Sequence, residues 1–328
     1  MQAVVITQFG GPEVLDLRAV PDPVPAADEV LVAVKYTAVN RLDLLQRLGL
    51  YPAPEGAPVD IPGVEFAGTV ESTGSAVTRF RAGDRVFGLV GGGSYAQYIV
   101  AHERTIMPIP KTISFQQAAA IPEAFMTAFD ALVVHGQLKK GETALISAAG
   151  SGVGAAAVQV ARVFGAHTIG TARSAGKIEK ALALGLEHGI VARECKFAQD
   201  VLALTGDKGV DVVLELVGGL YISEDIACMA SKGRLIIVGL VGGARCEINL
   251  GTVLRKRLEI RGTVMRSRTL EEKVSITEQF SSLMLPLIAA GKVSAVIDQV
   301  LPLAKAAEAH VYVGKNENFG KVLLELPV

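Results

Sequence analysis

A chain of 328 residues is long enough for two domains of roughly 150 residues each. Half of it is hydrophobic and only a fifth is charged, which excludes a disordered chain. With 32 basic against 33 acidic side chains the formal charge is −1, so the basic footprint of a nucleic-acid binder is absent.

The first hundred residues read as short strands and turns. Strands are predicted at 1–7 and 30–38, the second after the loop Pro21-Asp22-Pro23-Val24-Pro25. Residues 40–48 have helical spacing, with Leu44, Leu45 and Leu48 on one side. Pro52, Pro54, Pro58 and Pro62 make the next segment a loop. Strands follow at 65–72, 84–90 and 95–100, with Gly91-Gly92-Gly93 as a turn. Close spacing of such strands predicts a barrel-like β domain. Helical patterns cover 116–120 and 123–134. Beyond them strands (143–147, 167–172, 190–192, 210–216, 234–238, 258–263) alternate with helices (153–164, 177–184, 198–205, 221–229). That alternation predicts a doubly wound parallel sheet. A long helix at 270–290 and a strand at 321–325 close the chain.

The stretch 143–161 carries no charge and approaches the roughly 20 residues of a membrane span. Gly150, Gly152 and Gly154 interrupt it, so it reads as a buried strand, a turn and a buried helix. The N-terminus has no basic region followed by an apolar run, so no signal peptide is expected. Cys195, Cys228 and Cys246 form no Cys-x-x-Cys pair, and no two of the five histidines have ligand spacing on a helix. These features predict a cytoplasmic protein with free thiols, no membrane partner and no metal site.

Residues 148–154, Ala-Ala-Gly-Ser-Gly-Val-Gly, lie between a predicted strand and a predicted helix. A dinucleotide pyrophosphate needs a tight turn, close backbone approach and free N–H groups at a helix start. Ser151, Gly152, Val153 and Gly154 are small enough to provide all three; the alternative is a turn that only packs helix on sheet. An NAD site places Asp or Glu about 20 residues further on. Here no acid occurs between Arg162 and Lys177, while Arg173, Ser174 and Lys177 offer positive charge and a hydroxyl. The cofactor expected is therefore NADPH; otherwise these charges are a solvated surface.

At this point the sequence resembles the zinc-free quinone oxidoreductases of the medium-chain dehydrogenase/reductase superfamily, most nearly the tumour-suppressor-inducible subgroup. The resemblance rests on Asn40-Arg41-Leu42-Asp43 through Arg47 and Tyr51-Pro52, Gly63-Val64-Glu65, and Gly83-Asp84-Arg85-Val86. It continues through Gly91-Gly92-Gly93-Ser94-Tyr95-Ala96, Ala119-Ala120-Ile121-Pro122-Glu123-Ala124, Ser151-Gly152-Val153-Gly154 and Asn316-Glu317-Asn318-Phe319-Gly320-Lys321. It implies a Rossmann NADP(H)-binding domain (122–265) inserted into a GroES-like catalytic β-barrel domain (1–121 and 266–328), an active site at the interdomain cleft, and a homodimer paired through Rossmann edge strands. Zinc-dependent relatives carry a Cys near Asn40, a His at the position of Val64 and a four-Cys lobe after the segment near Gly91; none of these is present, so neither the catalytic nor the structural zinc is expected. Many relatives have a Tyr near Ala192 that meets the 2′-phosphate; Arg193 beside it is the substitute considered.

Without a Lewis acid, the acceptor must take hydride readily, as a quinone or activated enone does. The resemblance suggests that Tyr51 donates a hydrogen bond to the developing oxyanion, against the alternative of a loop Tyr among prolines. Asn40 is expected to orient nicotinamide or substrate, or only to cap a helix. Thr127 and Asn318 are cofactor contacts by resemblance, with a back-bonded helix hydroxyl and a turn residue as their alternatives. Leu240 and Met265 wall the nicotinamide or simply pack. Asp43 and Arg47, four apart, predict a local ion pair. An NADPH:quinone oxidoreductase is the leading expectation. An enone or enoyl-thioester reductase and a non-catalytic NADP(H)-binding sensor are the alternatives.

Overall fold

The chain begins with two antiparallel strands, β1 (Gln2–Ile6) and β2 (Leu15–Ala19), in the computed structural model, which describes residues 1–327. In β3 (Glu29–Val39), Val30, Val32 and Val34 are buried while the residues between them are half-buried, the two-residue period of a strand. Helix α1 (Arg41–Arg47), β4 (Glu65–Thr73), β5 (Arg85–Leu89), β6 (Tyr98–His102) and β7 (Ile106–Pro108) follow. Strand β6 starts later than the expected 95–100 because the residues before it are engaged by β1. The Val4 N–H donates to Tyr95 O at 2.9 Å, and the Gln2 N–H to Gln97 Oε1 at 2.7 Å. Helix α2 (Phe115–Ala119) starts at Ser114, whose Oγ accepts the Gln117 N–H while the Gln117 side chain accepts the Ser114 N–H.

The single helix expected at 123–134 is instead three pieces. A π-helical turn at Pro122–Met126 leads into α3 (Thr127–Phe129) and a second π-helical turn at Asp130–His135. Such widened turns recur at functional sites. Then come β8 (Thr143–Ile146), α4 (Gly152–Val163), β9 (His167–Ala172), α5 (Ala175–Ala183), β10 (His188–Val191) and α6 (Ala198–Leu204). The series ends with β11 (Val210–Glu215), α7 (Tyr221–Cys228), β12 (Met229–Ile237), α8 (Leu250–Lys256) and β13 (Glu259–Gly262). These six strands are parallel in the order β10-β9-β8-β11-β12-β13, the doubly wound order. Ala144, Leu145 and Ile146 of β8 and Val212, Val213 and Leu214 of β11 are all inaccessible, as central strands covered on both faces require.

The last elements are α9 (Leu270–Ala289), β14 (Ile297–Pro302), α10 (Ala306–Gly314) and β15 (Lys321–Glu325). Strands β14 and β15 join the N-terminal sheet, whose order is β14-β15-β3-β4-β5-β7 with β6 also on β3. By packing, Met1–Glu123 and the chain from Met265 onward form one unit, the GroES-like β domain, and Ala124–Val264 form the Rossmann unit. Among the described residues no helix is long and apolar enough to cross a membrane.

Candidate active site

In the β unit, strand register assembles a buried ionic cluster. Val322 of β15 pairs with Val39 of β3, which brings Lys321 to Asn40; Thr37 pairs with Phe66, which brings Glu65 alongside Ala38. Lys321 Nζ lies 2.7 Å from Glu65 Oε1 and also donates to Asn40 Oδ1. Asn40 Nδ2 donates to the same Glu65 Oε1 at 2.8 Å, and the Glu123 N–H to Glu65 Oε2 at 2.8 Å. Lys321, Glu65 and Asn40 are all buried. A buried ion pair with such additional donors is the form that tolerates burial.

Next to this cluster, Asp43 accepts the Asn40 N–H (2.8 Å), the Gly63 N–H (3.1 Å) and the Tyr95 hydroxyl (3.3 Å). Burial pushes its carboxyl up to about 6, against the pull of these donors and of Arg266 and Lys321. The expected Asp43–Arg47 ion pair is not formed. Asp43 faces Gly63 and Tyr95 instead, and Arg47 Nε and Nη1 are buried without a hydrogen-bond partner among the described residues. The Tyr95 hydroxyl also meets His310 Nε2 at 3.1 Å, and burial lowers that imidazole to about 3, so it is neutral.

Tyr51 lies in the proline loop beneath Arg266, whose guanidinium carbon is 5.6 Å from the ring centre. Arg266 donates to Gly91 O (2.7 Å) and to Gln46 Oε1 (2.5 Å), which fixes it over the ring. Burial raises the Tyr51 phenol above its ordinary value, with Arg266 opposing and Glu123 adding to the rise, so it is a hydrogen-bond donor at neutral pH. Met265 precedes Arg266 and is buried. Asn318 Nδ2 donates to Gly320 O at 2.7 Å, a bond within its own turn. Glu65, Glu123, Arg266 and Lys321 were not singled out from the sequence as site residues. Glu65, Glu123 and Lys321 fall inside quoted motifs, but only β-sheet register reveals that they meet.

In the Rossmann unit, β8 passes through Ala148, which holds a left-handed φ of 46°, into α4. Ser151 caps α4, its Oγ accepting the Gly154 N–H at 3.0 Å. A Cβ on Gly154 would lie 2.2 Å from Ala148 O, so only glycine permits this close turn. The first N–H groups of the helix, at Gly152 and Val153, have no intrahelical acceptor. A Cβ on Gly150 would meet Lys177 Cδ at 2.9 Å, so the Lys177 stem runs along the turn. Arg173 and Ser174 follow β9 directly, and Arg193 follows the adjacent β10, whose Val191 pairs with Ala172. Helix N–H groups and basic side chains are what a phosphate-bearing ligand requires, and no carboxylate stands at the β9 end. The Thr127 hydroxyl, expected either at the cofactor or bonded to its own turn, is buried without a partner among the described residues. Leu240 is half-exposed after β12, with its Cδ2 2.8 Å from where a Gly218 Cβ would be. Thus Ser151, Gly152, Val153 and Gly154 share one turn and helix start, with the Lys177 stem of α5 packed against it. Asn40, Tyr51, Met265 and Asn318 belong to the other unit.

The profile described as alcohol dehydrogenase GroES-like domain matches residues 26–111, and the profile described as zinc-binding dehydrogenase matches 152–287. Quinone oxidoreductase of Rattus norvegicus is 35% identical over 330 residues, covering 99% of this chain and 98% of the relative. The chain belongs to the quinone oxidoreductase family of the medium-chain dehydrogenase/reductase superfamily. It is an oxidoreductase of that superfamily. The crystal structure of Escherichia coli quinone oxidoreductase complexed with NADPH is 31% identical, with a TM-score of 0.87, covering 99% of this chain and all of that one. A structure of an NAD-dependent alcohol dehydrogenase is 34% identical with the same TM-score of 0.87 and full coverage of both chains. The zinc in the matching profile's description does not fit this family member. Val64 is apolar and inaccessible, the Asn40 amide is bonded at both ends, and Lys321 brings a cation to Glu65. Among the described residues no three His, Cys, Asp or Glu are grouped to hold a metal.

Proposed function

We propose that this protein is an NADPH-dependent quinone oxidoreductase that works without zinc. The observation that carries the reading is the α4 turn with Lys177 lying along it and Arg173 and Arg193 at the neighbouring strand ends. Ser151, Gly152, Val153 and Gly154 would hold the pyrophosphate through helix N–H groups, and Arg173, Ser174, Lys177 and Arg193 the 2′-phosphate. In this reading the Thr127 hydroxyl hydrogen-bonds the cofactor and Leu240 forms part of the nicotinamide wall. Met265 and Asn318 keep the assignments given by the resemblance. When bound, the nicotinamide supplies hydride. Tyr51 then donates to the oxygen that gains negative charge, supported by the Arg266 cation over its ring. Asn40, assigned by the resemblance to orient nicotinamide or substrate, has its amide held by Glu65 and Lys321.

A purified sample tested against quinones, enones and enoyl thioesters, with NADPH and with NADH, checks this. Quinone reduction driven better by NADPH is the expected result; reduction of enoyl thioesters alone would favour the second reading, for which a solved enoyl reductase at 30% identity and TM-score 0.87 speaks.

The protein is further proposed to be a cytoplasmic homodimer, its three cysteines free. Strand β13 is a sheet edge with every residue exposed, and Leu250 and Leu254 of α8 are exposed nearby in the same unit. Light scattering should give twice the 34.3 kDa chain mass, and Leu254→Glu should shift it toward the monomer. A monomeric wild type would refute this.

A further inference from the structure

Arg266 is a cation buried among neutral acceptors. Only 5% of it is exposed. Its Nε donates to Gly91 O at 2.7 Å, its Nη2 to Gln46 Oε1 at 2.5 Å, and its Nη1 reaches Tyr51 O at 3.5 Å. Two backbone carbonyls and one side-chain amide take these bonds, and among the described residues no carboxylate is ion-paired with it. A charge that has left water is normally paired with an opposite one. Arg266 is held in place without that compensation.

The hold is specific. Gln46, near the end of α1, is buried and uses both ends of its amide: Oε1 accepts from Arg266, and Nε2 donates to Val59 O at 3.0 Å. A Cβ on Gly92 would lie 3.4 Å from Arg266 Nη2, and one on Gly91 3.0 Å from Ala57 Cβ. The glycine turn therefore packs directly on the guanidinium and on the proline loop. Arg266 ties α1, this turn and the loop together, and its guanidinium carbon stands 5.6 Å from the centre of the Tyr51 ring. A phenol that donates a hydrogen bond gathers negative charge on its own oxygen and ring. A cation over the ring stabilises that charge more than it stabilises the resting phenol.

We infer that Arg266 and Gln46 are a positioning pair for Tyr51, a guanidinium held by neutral acceptors so that its uncompensated charge serves the phenol as it donates to the acceptor oxygen. This rests on the reading of the protein as a quinone reductase with Tyr51 at the acceptor. Gln46 has to be neutral, because a carboxylate there would hold Arg266 as firmly and cancel its charge. The two charged groups that act on the Tyr51 phenol are Arg266, which draws its pKa down against burial, and Glu123, which raises it.

The test compares Gln46→Glu with Gln46→Met. Both lose the bond to Val59 O, and only the first cancels the Arg266 charge. Gln46→Glu should slow single-turnover NADPH oxidation by 1,4-naphthoquinone about tenfold relative to Gln46→Met. Arg266→Gln, which removes the charge outright, should behave as Gln46→Glu does. Tyr51→Phe should slow the step by roughly 10²-fold, and Gln46→Glu added to Tyr51→Phe should change it little, because the charge acts through the phenol. In the cofactor-free protein, carbon-13 NMR of ring-labelled tyrosine identifies Tyr51 as the resonance missing in Tyr51→Phe. That phenol should ionise at higher pH in Gln46→Glu than in Gln46→Met. A role limited to holding the loop predicts no such rise, since a freed ring returns toward its ordinary value. Equal rates and equal phenol titrations in the two Gln46 variants overturn the inference, as does the same tenfold loss in the Tyr51→Phe background. A wild type that reduces no quinone overturns the parent reading instead, and the titration, which needs neither cofactor nor acceptor, separates the two failures.

Discussion

Lys321 holds together the ionic cluster of the β unit. Its ammonium is the cation paired with the inaccessible Glu65 carboxylate, at 2.7 Å. Lys321→Met would leave that charge with only the amide of Asn40 and the N–H of Glu123 as donors. Removing one partner of a buried pair costs about 3–5 kcal/mol. Urea denaturation should therefore show Lys321→Met destabilised by about that much, with Glu65→Gln added to it recovering part of the loss. A midpoint unchanged by Lys321→Met would mean that water replaces the ammonium.

At the scale of elements, β11 and α7 enclose a second carboxyl pair. Glu215, at the end of β11, accepts the Gly218 N–H at 2.6 Å and also the Val217 N–H. Asp225 of α7 is inaccessible and faces it. Two carboxyl groups that face each other in an apolar interior resist ionising together. Burial raises the Glu215 carboxyl against the pull of its backbone donors, and raises Asp225, which also faces Glu215, well above the carboxylate range, so Asp225 is the one that holds a proton. The folded state then binds a proton that the unfolded chain releases near pH 4. The pair's contribution to stability is complete below that pH and is lost as pH rises through the folded value. Asp225→Asn should flatten this decline in thermal stability between about pH 5 and 8. An equal decline in both proteins would place the proton elsewhere.

The same elements show what can be read from sequence. The strand–turn–helix around Ser151 was legible because its small residues are contiguous and its period switches from strand to helix. The interruption of α3 by π-helical turns was not, since residues 123–134 keep a helical hydrophobic period whichever carbonyl each N–H reaches. Asp43 and Arg47 have the spacing of an ion pair, yet Asp43 is claimed by Gly63 and Tyr95, partners distant in sequence. The cluster of Asn40, Glu65, Glu123 and Lys321 draws on four separate segments and became visible only through strand register.

At the scale of the whole molecule, the apolar excess of a nearly neutral chain is accounted for by central strands covered on both faces and by an alanine-rich α4, buried from Gly154 to Ala161. The β unit, built from both ends of the chain, contains Tyr51, Arg266 and Glu123, and the Rossmann unit contains the turn at Ser151. In the proposed function, the turn at Ser151 selects NADPH through its neighbouring cations. The most direct measurement is the KM for NADPH and for NADH in wild type and in Arg173→Ala and Lys177→Ala, with one quinone as acceptor. A lost charge-assisted phosphate contact is worth about 1.5–3 kcal/mol, so each substitution should raise the NADPH value by about tenfold or more and leave NADH nearly unchanged. Equal effects on both cofactors would contradict the account.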